Sequence, residues 1–176
     1  MDESVRRALT KWPDVPACYG WLSLDRAGRW RLQGQIVMHQ GMADFIARNY
    51  VCDATGCWLF QNGPQRVFVT LEYTPWVLRT ARNSAAAFVT HTHQAFTSPT
   101  HAWLDEAGNL LISGPLGVGL VHGQDLIELA DAITLPTGDK PGTLEYAGLS
   151  LPVTSIAASE VPARFGFQAS PQPNQA

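Results

Sequence analysis

Asp25-Arg26-Ala27-Gly28-Arg29-Trp30-Arg31-Leu32, Asp53-Ala54-Thr55-Gly56-Cys57-Trp58-Leu59-Phe60 and Asp105-Glu106-Ala107-Gly108-Asn109-Leu110-Leu111-Ile112 share one pattern. In each, the Asp side chain bonds to the backbone ahead of it and starts a turn. Gly supplies a positive φ, and apolar residues two apart then face one side of a strand. Each reads as the corner of a β-hairpin.

The surroundings of the first and third turns also repeat. After the first come Gly34, His39 and a segment with Met42, Phe45, Ile46 and Tyr50 at helical spacing. After the third come Gly114, His122 and a helix with Leu126, Ile127, Leu129 and Ile133. Both helices carry an early Asp, Asp44 and Asp125, and each is followed by one tetrapeptide, Thr70-Leu71-Glu72-Tyr73 and Thr143-Leu144-Glu145-Tyr146. The expected fold is therefore α+β. It has two diverged repeats, each made of antiparallel β-hairpins packed on one amphipathic helix, behind a short N-terminal helix. Chance recurrence is the competing reading, because the loops between landmarks differ in length.

The N-terminal helix is read from Val5, Ala8, Leu9 and Trp12, with acids first and Arg6, Arg7 and Lys11 later, as the helix dipole prefers. Pro13 ends it. The expected organisation is a helix and connector over 1–16, a first repeat over 17–80, a second over 84–165 and a disordered tail over 166–176. Arg79 to Ser84 form the link.

An apolar fraction of 45% with 6 Trp, 7 Phe and 4 Tyr is enough to build a core from 176 residues. Lys plus Arg number 12 against 15 Asp plus Glu, without blocks, which argues against nucleic acid or an anionic membrane surface as partner. No apolar run approaches the roughly 18 residues that span a bilayer, and the chain begins Met1-Asp2-Glu3 without a secretion signal. Three cysteines, Cys18, Cys52 and Cys57, fit a reducing compartment, so the expected location is cytoplasmic.

Three constellations are candidates for chemistry. His91 and His93, two apart on a strand, would share a face, with His101 returning after a loop, which is workable metal-ligand spacing. A fourth ligand is missing, and a solvated strand face accounts for the same residues. Gly114, Gly117, Gly119 and Gly123, with His122, lie between an expected strand and helix, where backbone amides can cradle a phosphate. The spacing misses the dinucleotide fingerprint, and a flexible connection is the plainer account. Gln65 and Arg66 should sit at a hairpin end and meet an anion or carboxylate, or Arg66 simply pairs with Glu72 or solvent.

The cysteines have no evident base, no Gly-x-Ser-x-Gly elbow occurs, and Trp30, Trp58, Trp76 and Trp103 are core or interface candidates. No complete catalytic set is present and the residues name no cofactor.

The run Gly28-x-Trp30, Gly34-x-Ile36, helix, Asp53-x-x-Gly56-x-Trp58, Asn62-Gly63-Pro64-Gln65-Arg66-Val67 and Leu71-Glu72-x-Thr74-Pro75-Trp76 resembles a family of uncharacterised small proteobacterial proteins. It is distantly similar to a second uncharacterised bacterial family with a Gly-x-Trp turn, a helix and a second Asp-x-Gly turn. The second resemblance implies a fold of repeated α+β motifs and a signalling role. The similarity covers roughly residues 12–80 closely and the second half loosely. It offers no catalytic residue to carry over.

Three functions follow as expectations. The first is a regulatory or ligand-binding module that takes a small molecule in a groove between the repeats. The second is a protein-binding or homodimer-forming module that uses exposed aromatics such as Trp76. The third is a metal-dependent enzyme built on His91, His93 and His101.

Overall fold

The computed structural model describes residues 1–12, 15–81 and 86–173. Pro13, half of the expected Arg79 to Ser84 link and the end of the expected tail lie outside them. The fold mixes α and β, with four helices and two sheets among the described residues and more strand than helix. None of these helices is long and apolar enough to cross a membrane. The chain divides into two compact units: unit 1 is Met1–Asp25, Arg29–Tyr73 and Gly166–Ala176, and unit 2 is Arg26–Gly28 and Thr74–Phe165.

Unit 1 runs α1 (Glu3–Lys11), β1 (Cys18–Leu24), β2 (Trp30–Leu32), β3 (Gln35–Ile36), α2 (Gln40–Arg48), β4 (Tyr50–Cys52), β5 (Trp58–Asn62) and β6 (Gln65–Leu71). Its six-stranded sheet has the order β3-β2-β1-β6-β5-β4. The hairpins are antiparallel, but β6 runs parallel to β1, which departs from the expectation of antiparallel hairpins alone. The chain reaches β6 only after crossing through α2, and a strand delivered by a crossover can align parallel where a two-residue turn forbids it.

Helix α2 places Ile46 at 0% exposure against the sheet, and Phe45 meets Phe60 edge-on at 5.4 Å between ring centroids. The opposite sheet face buries Cys57, Leu59 and Phe68, with Tyr19 stacked on Phe68 at 4.5 Å.

Residues 166–173, expected in a disordered tail, are tied into unit 1. Gln168 N donates to Gly56 O at 2.9 Å, Leu71 N donates to Ala169 O at 2.8 Å, and Phe167 is buried. Gly56 explains the close approach. It adopts φ +81°, and a Cβ there would lie 2.3 Å from Gly166 O.

Unit 2 runs β7 (Trp76–Thr80), β8 (Phe88–Thr90), β9 (Ala95–Phe96), β10 (His101–Leu104), β11 (Leu110–Gly114), β12 (Gly117–Val121) and α3 (Gly123–Leu129). It continues with β13 (Ile133–Thr134), β14 (Gly142–Tyr146), β15 (Leu149–Ser155) and α4 (Val161–Phe165). Its sheet has the order β13-β14-β15-β10-β11-β12-β7-β8-β9. The sequence reading carries the first repeat to residue 80, but β7 pairs with β12 and β8 inside unit 2.

The three Asp-x-x-Gly corners form as read. Asp25 Oδ1 accepts from Arg29 N at 2.9 Å, Asp53 Oδ1 from Cys57 N at 3.0 Å and Asp105 Oδ1 from Asn109 N at 2.8 Å. His39 and His122 cap the helices that follow: Nδ1 of the first accepts from Met42 N and Nδ1 of the second from Gln124 N, each at 3.2 Å.

The early aspartates do different work. Asp44 accepts from Gln40 on the surface, whereas buried Asp125 takes a two-point contact from Arg79 at 2.7 and 3.0 Å. The identical tetrapeptides also differ in setting. The first ends β6, which has a parallel neighbour, and the second fills β14, which has antiparallel neighbours on both sides. Four matching residues carry too little packing information to fix a strand's place in a sheet.

Candidate functional site

The histidines are not on one strand face. His91 and His93 occupy the turn between β8 and β9, closed by Thr90 N donating to Gln94 O at 2.9 Å and by Gln94 N donating to Thr90 Oγ1 at 3.1 Å. His93 takes φ +64°, which a continuing strand would not allow. The Thr90 hydroxyl competes with the ladder for backbone bonds, and that ends the strand.

The His91 ring packs beside Trp76 at 5.8 Å, its Nδ1 accepts from Val77 N at 3.3 Å, and its Nε2 is shielded from solvent. Burial, then the nearby His93, lower its pKa to about 3, so it is neutral at physiological pH. His101 is held elsewhere, on β10, with Nε2 2.9 Å from Thr154 Oγ1 and its ring 4.2 Å from Trp103. Among the described residues no group of three or more His, Cys, Asp or Glu is placed to hold a metal ion.

The glycine run is a hairpin rather than a strand-to-helix loop. Gly114 pairs with Gly117 across a two-residue turn, and Gly117 takes φ +98°. Gly119 sits inside β12, where a Cβ would lie 2.6 Å from Leu78 Cγ, so its small size serves core packing. His122 is engaged as a helix cap. Trp76, offered as an exposed docking aromatic, is 5% exposed and donates its indole N–H to Leu116 O at 2.8 Å. Arg66 lies exposed on β6 opposite Gln61, and its charge is the least of the influences that lower the Asp53 pKa.

Gln65 lines a pocket in unit 1. Between α2 and the sheet of unit 1 is a pocket of about 260 Å³. Strand β1 contributes Cys18, Trp21 and Leu22, helix α2 contributes Met42 and Ile46, and β5 and β6 contribute Phe60, Asn62, Gln65 and Val67; Leu32 of β2 completes it. The local sequence explains the geometry. Gly20, at φ +72°, lies in a register shift of β1 between Cys18 and Leu22, and there both Trp21 and Leu22 reach the pocket. Trp21 O is anchored by Gln33 N at 2.7 Å while its side chain stays 54% exposed.

The sequence marked none of Cys18, Trp21, Met42 or Asn62 as a site residue. The readable signal was Met42 and Ile46 at helical spacing, which the sequence assigns to one apolar face of α2. Met42 turns out 39% exposed, so that face is incompletely covered.

A wider, more open cleft of about 650 Å³ in unit 2 is lined by Leu104, Asp105, Glu106, Leu135, Pro136, Ser155, Ile156, Ala157 and Glu160. Two of its three carboxylates are already engaged. Asp105 closes its own turn, and Glu106 Oε2 accepts from Ala158 N at 2.9 Å. The smaller pocket is the less open of the two, and its walls are mostly apolar.

The family model described as "Protein of unknown function (DUF2946)" matches residues 1–172. A DUF1285 family protein from Silicibacter pomeroyi DSS-3 shares the fold, with a TM-score of 0.55, 16% identity, and coverage of 82% of this chain and 85% of that one. No curated protein matches. The two resemblances read from the turn and helix motifs, to one uncharacterised family and distantly to another, are both found.

Proposed function

Since the chain belongs to this family of unknown function, we propose that it is a small ligand-binding module of regulatory type rather than an enzyme, with the unit 1 pocket as its site. The observation that carries this reading is the half-enclosed, mostly apolar pocket with one sequence-marked polar side chain, Gln65, on its wall. A thermal-shift panel of metabolites, nucleotides and apolar small molecules tests it. A true ligand at 100 times its Kd stabilises by about 2.7 kcal/mol, and the gain should vanish in Val67→Phe, which fills the cavity. A panel with no stabilising compound, or stabilisation indifferent to that substitution, counts against the reading.

We also infer that the units are diverged copies of one motif. In support, the order β3-β2-β1-β6-β5-β4 recurs as β12-β11-β10-β15-β14-β13, each with a central parallel pair, an Asp corner and a His-capped helix. Glu72 N donates to Leu24 O just as Ile156 N donates to Leu104 O, both at 3.0 Å. Three free thiols support a reducing, cytoplasmic setting.

A second reading, homodimerisation, draws on Trp21, Met38 and Met42, which are apolar and exposed in unit 1. Light scattering at rising concentration tests it, and a mass fixed at 19.2 kDa would end it.

A further inference from the structure

The unit 1 pocket has a chemical character beyond its size. Its lining holds two side-chain amides, Asn62 and Gln65, one thiol, Cys18, and otherwise apolar and aromatic side chains, with no Lys, Arg, His, Asp or Glu. An ion entering it would exchange hydration for a wall that offers no counter-charge, and desolvation of an unpaired charge is not repaid by contacts with carbon. Hydrocarbon, in contrast, gains from every apolar area it covers. Inside the wall, Gln65 Nε2 is held 3.1 Å from Cys18 Sγ, a weak acceptor that a ligand oxygen can replace. Met42, on the helix side, is unbranched and half-exposed, so it can adapt to an occupant.

At the packing density of protein interiors, about three quarters, a volume near 260 Å³ holds roughly ten non-hydrogen atoms. Resting on the ligand-binding reading above, we propose that the pocket takes an uncharged, mostly hydrocarbon molecule of that size. Such a molecule carries one hydrogen-bonding oxygen, and that oxygen meets the Gln65 amide.

Titration calorimetry of the full chain at pH 7 with 1-octanol, octanoate and octylammonium compares one chain length in three charge states. The expected result is saturable binding of 1-octanol, weakened at least about tenfold by Met42→Trp, with both ions at least about tenfold weaker than the alcohol. Met42 is partly exposed, so this substitution narrows the pocket without emptying the core, and an unchanged far-UV circular dichroism spectrum checks that. Octanoate or octylammonium binding as tightly as the alcohol overturns the inference about charge and leaves the pocket standing. So does silence from 1-octanol when another compound of the panel binds and is blocked by Val67→Phe. Octanol affinity unmoved by both Met42→Trp and Val67→Phe removes the pocket itself as the site.

Discussion

Gln65 Nε2 lies 3.1 Å from Cys18 Sγ, a side-chain bond that ties the first residue of β6 to the first residue of β1 across the parallel pair at the pocket wall. Val67, two residues on, is the backbone partner of Cys18, so one face of this pairing carries amide, thiol and apolar surface together. The pocket is thus built where the crossover delivers β6 beside β1.

That placement makes the thiols a reporter of occupancy. Cys18 lines the pocket, Cys52 is exposed outside it and Cys57 is buried. With iodoacetamide and peptide mapping, saturating 1-octanol should slow alkylation of Cys18 severalfold and leave Cys52 unchanged, while Cys57 stays the least modified. Equal slowing at Cys52 would show a general solvent effect.

Asp105 accepts from Ala107 N, Asn109 N and Asn109 Nδ2 while only 7% exposed. Asp105→Ala strands those donors, and urea unfolding should show a loss of about 1–3 kcal/mol. Asp25 adds a pH signature. Burial pushes its carboxyl up, but hydrogen bonds from the Arg29 backbone and side chain and from Arg31, with the Arg29 charge, bring it below its usual 3.8. A depressed folded value means the stabilisation is complete above about 3.8 and is lost as pH falls through the lower folded value. Asp25→Asn should therefore flatten the acid limb of the stability profile below pH 4.

Gly119 faces Leu78, which is fully buried, and a Cβ there would lie within 3.0 Å of three of its side-chain carbons. Gly119→Ala should cost about 1–3 kcal/mol by overpacking, measured by thermal or urea unfolding, and Gly119→Ala with Leu78→Val should recover part of it. An unchanged midpoint in the single variant would contradict the close approach.

His91, neutral because its folded pKa is about 3, takes up its proton in the unfolded chain near 6.5. Stability from this group is complete above pH 6.5 and falls as pH drops from there toward 3. Between pH 6.5 and 5, before most carboxylates titrate, His91→Gln should show a flatter urea midpoint than the parent chain. Parallel slopes would place the ring in solvent.

Deleting residues 166–176 should lower the melting temperature by several degrees. It exposes Phe167's partners and breaks the bonds of Gln168 and Ala169 to Gly56 and Leu71. A disordered tail would leave the melting temperature where it was.

The Asp corners, the helical spacing over Gln40–Arg48 and the two His landmarks were legible in the sequence, because each rests on bonds between residues within five of one another. The family resemblance rode on those same local motifs. The separation of the histidines was not legible, because Gln94 N donates to Thr90 Oγ1 and turns the chain where alternation alone continues the strand. Nor was the role of Gly119, whose reason lies on Leu78, 41 positions away.

Sequence by itself determined the three Asp corners and the main turns of α1, α2 and α3, since hydrogen bonds that close within a few residues need no distant partner; Tyr50 and Ile133, read as helical, instead open β4 and β13. Tertiary structure alone decided that β6 lies parallel to β1, that the tail returns to Gly56, and that Cys18, Met42 and Gln65 share a cavity. Those outcomes depend on which remote apolar surfaces bury one another, a selection among long-range pairings that no local pattern encodes.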